Sequence, residues 1–471
     1  MQLKQILTMP VALVMAGAMA GCASFLPDGG TTRVNELTQS RIGFEAAWPR
    51  TEQDRASTRA ASRELLARPL TADSAVRLAL LNNRALQASF AELGIAEADL
   101  VQAGRLRNPG FVFERLARNG DIDIGRAFLF DVLGLLTLPV RTQIETRRFA
   151  ITQERVAAEV LQVAADARRT WVAAVAAQET AAYADQVRLA AEASAELAKR
   201  MAGVGNFSKL DAAREQAFYT EAIAQVSRAR LAAVSARERL TRALGLEGDD
   251  MQYQLPPRLP DLPKTPREAN ALEATAITTR LDVQTSVREA EHLAATLGLT
   301  RATGFINVLE AGYQRNSETG KAVQTGYEIE LRLPIFDWGG ARVARAEHLY
   351  MQAVHRAADT ATRARSEVRE AHAAYRTAFE LARQYRDDLV PLRKQISEEL
   401  LLRYNGMLVS VFELLADARQ QIATVSAAID AKRDFFLAEA SLELALTGKS
   451  PGSLSLSGAP ARAAATTETP H

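Results

Sequence analysis

Few residues in this chain of 471 are equipped for chemistry, and their spacing narrows the options further. The five histidines, His292, His348, His355, His372 and His471, contain no His-Glu-x-x-His pair. His348 and His355 stand seven apart on one helical face, a spacing that fits a surface or seam pair better than a metal site. Cys22 is the single cysteine, so neither an internal disulfide nor a cysteine-based metal site can form. The eight methionines are scattered, and no phosphate loop, nucleophile elbow or dinucleotide fingerprint occurs. Catalysis and a bound cofactor are therefore not expected. The acidic residues offer something else. Glu413 and Asp417 are four apart and project to one side of a helix. Copies of such a helix around an axis would concentrate like charge, favouring cations and resisting closure; alone, the pair is a solvated acidic face.

Composition sets the frame for these residues. With 48% apolar and 24% charged residues the chain can bury cores, and a net charge of +1 gives no long-range pull toward polyanions. No basic run interleaved with aromatics appears, so no nucleic-acid partner is expected. Residues 1–21 carry Lys4, an apolar stretch from Ile6 to Met19 and the small residues Ala20 and Gly21, the grammar of an export signal. The tetrad Met19-Ala20-Gly21-Cys22 resembles a lipobox, with Met in place of the usual Leu; Cys22 then becomes the lipidated first residue of the mature chain. A secretory peptide or an N-terminal anchor whose cysteine is incidental is the alternative. Beyond it no apolar run approaches the ~20 residues of a membrane helix, so any membrane passage must use β-strands.

Prolines divide the rest. The stretches 140–255 and 335–390 contain none, and long helices are expected there. Val156, Val160, Val163, Ala167, Thr170, Ala174, Ala177, Ala181 and Ala184 form a heptad seam of mostly small residues, and Val411, Leu415, Ala418, Ile422, Val425 and Ile429 repeat the idea. A helix from about Arg141 to Arg200 would extend roughly 90 Å at about 1.5 Å per residue. Pro391 falls inside a long helical pattern, where a kink or break is expected.

Internal similarity is the strongest signal. Gly110-Phe111-Val112-Phe113 matches Gly304-Phe305-Ile306-Asn307, and Leu138-Pro139-Val140 matches Leu333-Pro334-Ile335. Asn83-Arg84-Ala85-Leu86 matches Thr279-Arg280-Leu281-Asp282, and Ser208-Lys209-Leu210-Asp211 matches Ser410-Val411-Phe412-Glu413, which makes Asp211 the counterpart of Glu413. Four ordered anchors at nearly one offset imply two structural repeats joined by a proline-rich linker. The expected organisation is a signal peptide over 1–21, a lipid-anchored linker over 22–69, and a first repeat over 70–253. A linker over 254–266, a second repeat over 267–448 and a tail over 449–471 follow.

Each repeat reads as a helix, two strands and a long helix pair. The first helix starts at the N-cap Thr71, with Asp73 in its first turn. In the second repeat strands are expected over 305–314 and 324–333. Tyr327, Ile329, Leu331 and Leu333 share one face there, and Glu328, Glu330 and Arg332 the other. Such alternation fits a membrane β-barrel with a polar lumen, or an ordinary two-sided hairpin. The hairpin at 111–133 alternates less cleanly, because Arg126 shares a face with Phe128 and Phe130.

Three features taken together, the opening Leu70-Thr71-Ala72-Asp73-Ser74-Ala75-Val76-Arg77-Leu78-Ala79-Leu80 with Asn82-Asn83, the segment Leu333-Pro334-Ile335-Phe336-Asp337-Trp338-Gly339-Gly340, and the duplication, resemble the TolC-like outer membrane efflux family over about Leu70 to Gly448. Leu138-Pro139-Val140-Arg141 departs from the family form, as does Arg280-Leu281-Asp282, which lacks a central proline. The resemblance implies an α fold with membrane β: a long α-helical barrel plus a 12-stranded transmembrane β-barrel shared by a homotrimer. It implies an outer membrane location, a periplasmic adaptor and inner membrane pump as partners, and passive passage of cargo through the duct of a tripartite efflux pump or type I exporter. It places adaptor docking at the helix turns around Gly203, Ser208, Gly406 and Ser410; Gly205 and Gly406 there permit tight or left-handed backbone. It places the periplasmic gate at Glu413, Asp417 and Asp211, although Asp417 falls one residue off the family's second acidic position. The competing expectation is a non-conducting, lipid-anchored coiled-coil tether.

Overall fold

The computed structural model describes residues 24–452, apart from 269, 270 and 307; Cys22 and the signal segment lie outside the described residues, as does the tail beyond 452. In chain order the elements are α1 (Thr31–Ile42), α2 (Glu52–Leu66), α3 (Ala72–Asn82), α4 (Arg84–Ala103), β1 (Gly110–Arg118), β2 (Asp121–Asp131), α5 (Val132–Gly203) and α6 (Lys209–Leu244). A short 3-10 turn at Gly248–Met251 precedes α7 (Leu272–Thr279), α8 (Leu281–Thr303), β3 (Leu309–Glu318), β4 (Gln324–Leu331) and α9 (Gly340–Gln384). A π-helical turn, Tyr385–Leu389, leads into α10 (Val390–Asn405), and α11 (Val411–Thr447) closes the order.

The chain divides into two interleaved compact units, one built from 1–37, 88–157 and 281–362, the other from 38–87, 158–280 and 363–471. The first contains the whole sheet, a single antiparallel layer in the order β1-β2-β3-β4. β2 pairs with β3 from Asp123↔Glu318 to Asp131↔Glu310, so strands from the two halves of the chain share one sheet. The second unit holds a core where Tyr375, Phe379 and Phe435 pack among Ala371, Ala378, Ala382 and Ala438. Small residues let these helices approach closely while three rings fill the space between.

Local chemistry explains where the helices start and stop. Thr71 caps α3 in a capping box, accepting from the Ser74 amide while Ser74 Oγ accepts from the Thr71 amide at 2.8 Å. The helix does not run on through Leu86. It stops at Asn83, whose backbone is extended and whose Oδ1 accepts from the Leu86 amide at 3.1 Å, so Asn83 caps α4. Arg280 makes the same extended break between α7 and α8. Gly245, at φ 68°, ends α6 against the Asn82 carbonyl, which a Cβ there would meet at 2.5 Å.

Three expectations are corrected. The first long helix begins at Val132, not after Pro139, and carries that proline inside it. Asp131 starts it, accepting from the Gly134 amide at 2.6 Å, so the turn is nucleated before the proline is reached. The third strand spans Leu309–Glu318 rather than 305–314, because its partner β2 fixes the register; Phe305 instead meets Trp338 in a tilted ring pair at 5.6 Å. The stretch 22–69, read as linker, carries α1 and α2. Gly406 keeps φ −81°, and Met407 takes the left-handed conformation at φ 56°. Pro391 produces the expected interruption as a π-helical turn, since its ring removes one amide from the ladder.

Of the two seams, the first is largely buried: Val156, Val160, Val163, Ala167, Ala174 and Ala184 are all inside. The second is only half-buried over most of its length within one chain, and Ile429 alone of its members is fully inside.

Candidate functional site

The turns at 203–208 and 405–410 lie in one unit and meet through Phe207 and Phe412, whose rings stack at 4.7 Å and 15°. Each returning helix is capped by the serine expected from sequence. Ser208 Oγ accepts from the Asp211 amide at 3.0 Å, and Ser410 Oγ accepts from the Glu413 amide at 3.4 Å. Gly203, Ser208, Gly406 and Ser410 are all exposed. Around them stand Val204, Leu210, Met407 and Leu408, apolar and open to solvent; Met407 is 94% exposed. For Val204 and Met407 the sequence signal was present, since an apolar residue beside a turn glycine has no helix face to bury on.

The three acidic candidates occupy different environments. Glu413 is exposed at the start of α11, where the helix N-terminus favours its charge. Asp211 sits equivalently at the start of α6, but accepts from Ser208 Oγ at 2.5 Å and pairs with Arg214 at 3.1 Å. Asp417 is buried, accepts from Ser397 Oγ, and lies 3.9 Å from Arg393. Glu413 and Asp417 share a helix but not an environment.

A fourth acid was missed. Glu215 follows Asp211 by four, as Asp417 follows Glu413, and is only 5% exposed. It accepts from Ser194 Oγ at 2.7 Å and pairs with Arg419 at 2.6 Å; Arg419 also lies over the Phe218 ring at 4.6 Å. Both tips thus repeat one arrangement, a buried carboxylate held by a serine of the preceding helix and by an arginine. The Asp211–Glu215 spacing matches Glu413–Asp417 in the sequence, but only burial distinguishes the second member of each pair. Arg419 ties α11 to α6 beside the Phe207–Phe412 stack.

The sheet has two chemically distinct faces. Alternation and register put Phe111, Phe113, Phe128, Phe130, Tyr313, Tyr327, Ile329 and Leu331 on one of them. Phe111 and Phe128 approach to 5.0 Å, and Tyr313 meets Tyr327 edge-on at 6.2 Å. The opposite face holds Glu114, Asp123, Glu318 and Glu328, and its row nearest the helices, Asp131, Glu310 and Glu330, is wholly acidic. Gly312 sits between, with no room for a Cβ beside Leu129 at 2.7 Å. β1 and β4 are the sheet edges. Below β4, Leu333, Ile335, Phe336 and Trp338 remain exposed. No helix among the described residues is long and apolar enough to cross a membrane. Among the same residues no group of three His, Cys, Asp or Glu side chains comes together as a metal site.

A four-stranded sheet drawn from two hairpins, joined to long capped helix pairs, is the fold of the TolC-like outer membrane channels. The Campylobacter jejuni CmeC outer membrane channel aligns over 89% of this chain and 93% of its own, with a TM-score of 0.68 and 17% identity. The outer-membrane channel OprN aligns over 88% of this chain and 95% of its own, with a TM-score of 0.69 and 17% identity. The open state of the Neisseria gonorrhoeae MtrE outer membrane channel aligns over 79% and 88%, with a TM-score of 0.63 and 16% identity. No protein-family model and no curated protein matches the chain.

Proposed function

We propose that this chain is an outer membrane exit duct through which cargo passes passively to the exterior, supplied by a periplasmic adaptor and an inner membrane pump. The observation that carries the reading is the sheet. One face is mostly aromatic and aliphatic, interrupted by Arg115, Arg126 and Arg315; the other carries all the strand carboxylates beside Val112, Leu116 and Leu129, and both edges are unpaired. Four strands cannot close a barrel, and open edges in lipid would cost several kcal/mol per unsatisfied group. Three copies supply 12 strands, remove every edge and turn the acidic faces toward a shared lumen. The half-buried second seam fits the same assembly, since neighbouring copies would cover it. The recurring element order supports a duplicated chain.

Within that reading Cys22 carries the lipid anchor. Gly203, Ser208, Gly406 and Ser410, with the apolar residues around them, dock the adaptor. Glu413 presents the gate's ring of charge, while Asp211 and Asp417 hold the helices that carry it. The test is single-channel conductance of the detergent-extracted protein in planar bilayers, with the oligomer mass measured on the same preparation. A trimer with small conductance that rises on Glu413→Ala supports the duct. A monomer that never conducts overturns it.

A further inference from the structure

The apolar face of the sheet carries three cations that nothing there neutralises. Arg126 of β2 stands directly opposite Arg315 of β3, and Arg115 lies on the same face of β1, two residues beyond Phe113, the partner of Arg126. Like charges in a direct cross-strand pair repel. All three are exposed, and the described ion pairs and hydrogen bonds include none to any of them. The other strand residues of this face are Phe, Tyr, Ile, Leu, Ala, Ser and Thr, without one carboxylate. The eleven-residue β2 reads Ile122, Ile124, Arg126, Phe128, Phe130 along it, so the arginine interrupts a surface that otherwise suits hydrocarbon.

Height explains the interruption. Arg315 pairs with Thr325, which is eight residues from Leu333 at the exposed apolar shelf below β4. A strand tilted by about 40° climbs roughly 2.6 Å per residue along the membrane normal. Arg126 and Arg315 then lie about 21 Å above Leu333, and Arg115 about 26 Å, at the far rim of an apolar band about 25 Å tall. Guanidinium groups at that level reach the headgroup layer on their alkyl stems. Planar forks suit phosphate oxygens.

We infer that Arg115, Arg126 and Arg315 form a site for the phosphate headgroup of a lipid in the leaflet farther from the helices. The lipid anion sits between Arg126 and Arg315 and cancels their repulsion, and its acyl chains lie down the Phe111, Phe128 and Tyr313 surface. The inference rests on the proposal that this face meets lipid. It adds that the face selects lipid whose phosphate headgroup is net anionic over zwitterionic lipid.

Native mass spectrometry of the detergent-extracted oligomer tests it, with added bis-phosphorylated glucosamine lipid, its dephosphorylated counterpart, phosphatidylcholine and inorganic phosphate as separate probes. Each cation at an anionic lipid surface is worth about a fivefold factor, so the combined Arg115→Gln, Arg126→Gln, Arg315→Gln variant should retain the phosphorylated lipid about 100-fold less well. Replacing Arg126 and Arg315 by Lys keeps the charge but loses the planar forks, so retention should fall, though by less than in the Gln variant. Equal retention of the dephosphorylated lipid, equal competition by inorganic phosphate, or an unchanged Gln variant would overturn the site. Insertion into phosphatidylcholine vesicles is scored separately: a Gln variant that inserts yet loses the adduct supports the site, and a wild-type protein that never inserts refutes the membrane reading beneath it.

Discussion

Replacing Arg419 by alanine should loosen the tips by a calculable amount. Its partner Glu215 has a side chain only 7% exposed, whereas Arg419 itself is 40% exposed. Removing one member of a fully buried pair costs about 3–5 kcal/mol, and partial exposure of the arginine lowers this to about 2 kcal/mol. Loss of the stack over Phe218 adds about 0.5–1 kcal/mol. Glu215→Gln should cost about 1 kcal/mol, since Ser194 can still donate to the amide oxygen. In the double variant the stranded carboxylate is gone, so the two effects should fall short of additivity by about 1–2 kcal/mol. Hydrogen exchange is the suitable assay because it reads local opening, and the combined loss of about 2.5–3 kcal/mol corresponds to roughly 100-fold faster exchange at the starts of α6 and α11. Additive effects within about 0.5 kcal/mol, or unchanged exchange in Arg419→Ala, would refute the account of Arg419 as the tie between these helices.

Other positions give independent checks. Burial holds the His292 imidazole below its usual value, and Arg148 adds to this, while the Ile144 carbonyl, Glu145 and Glu289 oppose it. Glu92 and Asp99 of α4 and Arg155 of α5 line the same cavity. The unfolded chain takes up that proton more readily, so stability should fall as pH drops below about 6.5, and His292→Gln should flatten the thermal midpoint between pH 7 and 5. Met407 bears left-handed backbone without being glycine, so Met407→Gly should stabilise its turn by about 0.5–1 kcal/mol, read as slower exchange at Leu408. Asp131 caps α5 and pairs with Arg107 at 3.3 Å; Asp131→Ala should lower the melting temperature by about 1 °C for a loss near 1 kcal/mol, and no change would argue that the proline-containing turn is held by packing instead.

Sequence carried the periodic and capped parts of this protein well. The Thr71, Ser208 and Ser410 caps and the Tyr327–Leu331 alternation are local signals, written within a few residues, and each appears where the pattern places it. What sequence did not carry depends on partners distant along the chain. The bounds of β3 follow from pairing with β2, and a proline rule applied locally missed that Asp131 starts α5 ahead of Pro139. At the tips, an acidic spacing of four placed Glu413 and Asp417 together, yet burial by α10 separates them and makes Asp417 the match of Glu215. Arg126 read as a blemish in a weak hairpin until Arg315 appeared opposite it.

The β2–β3 seam has a consequence for how the molecule comes into being. Its partners, such as Asp123 and Glu318, are about 195 residues apart, whereas each hairpin closes within about 20. Local hairpins form in microseconds, but the seam must wait for about two thirds of the chain to emerge. Throughout that interval β1–β2 is an amphipathic ribbon with one edge still seeking its mate and an aromatic face uncovered. The newborn chain is therefore most vulnerable between its two halves, and a holdase that shields Phe111, Phe128 and Phe130 should raise the yield of the assembled protein more than any substitution in its helices.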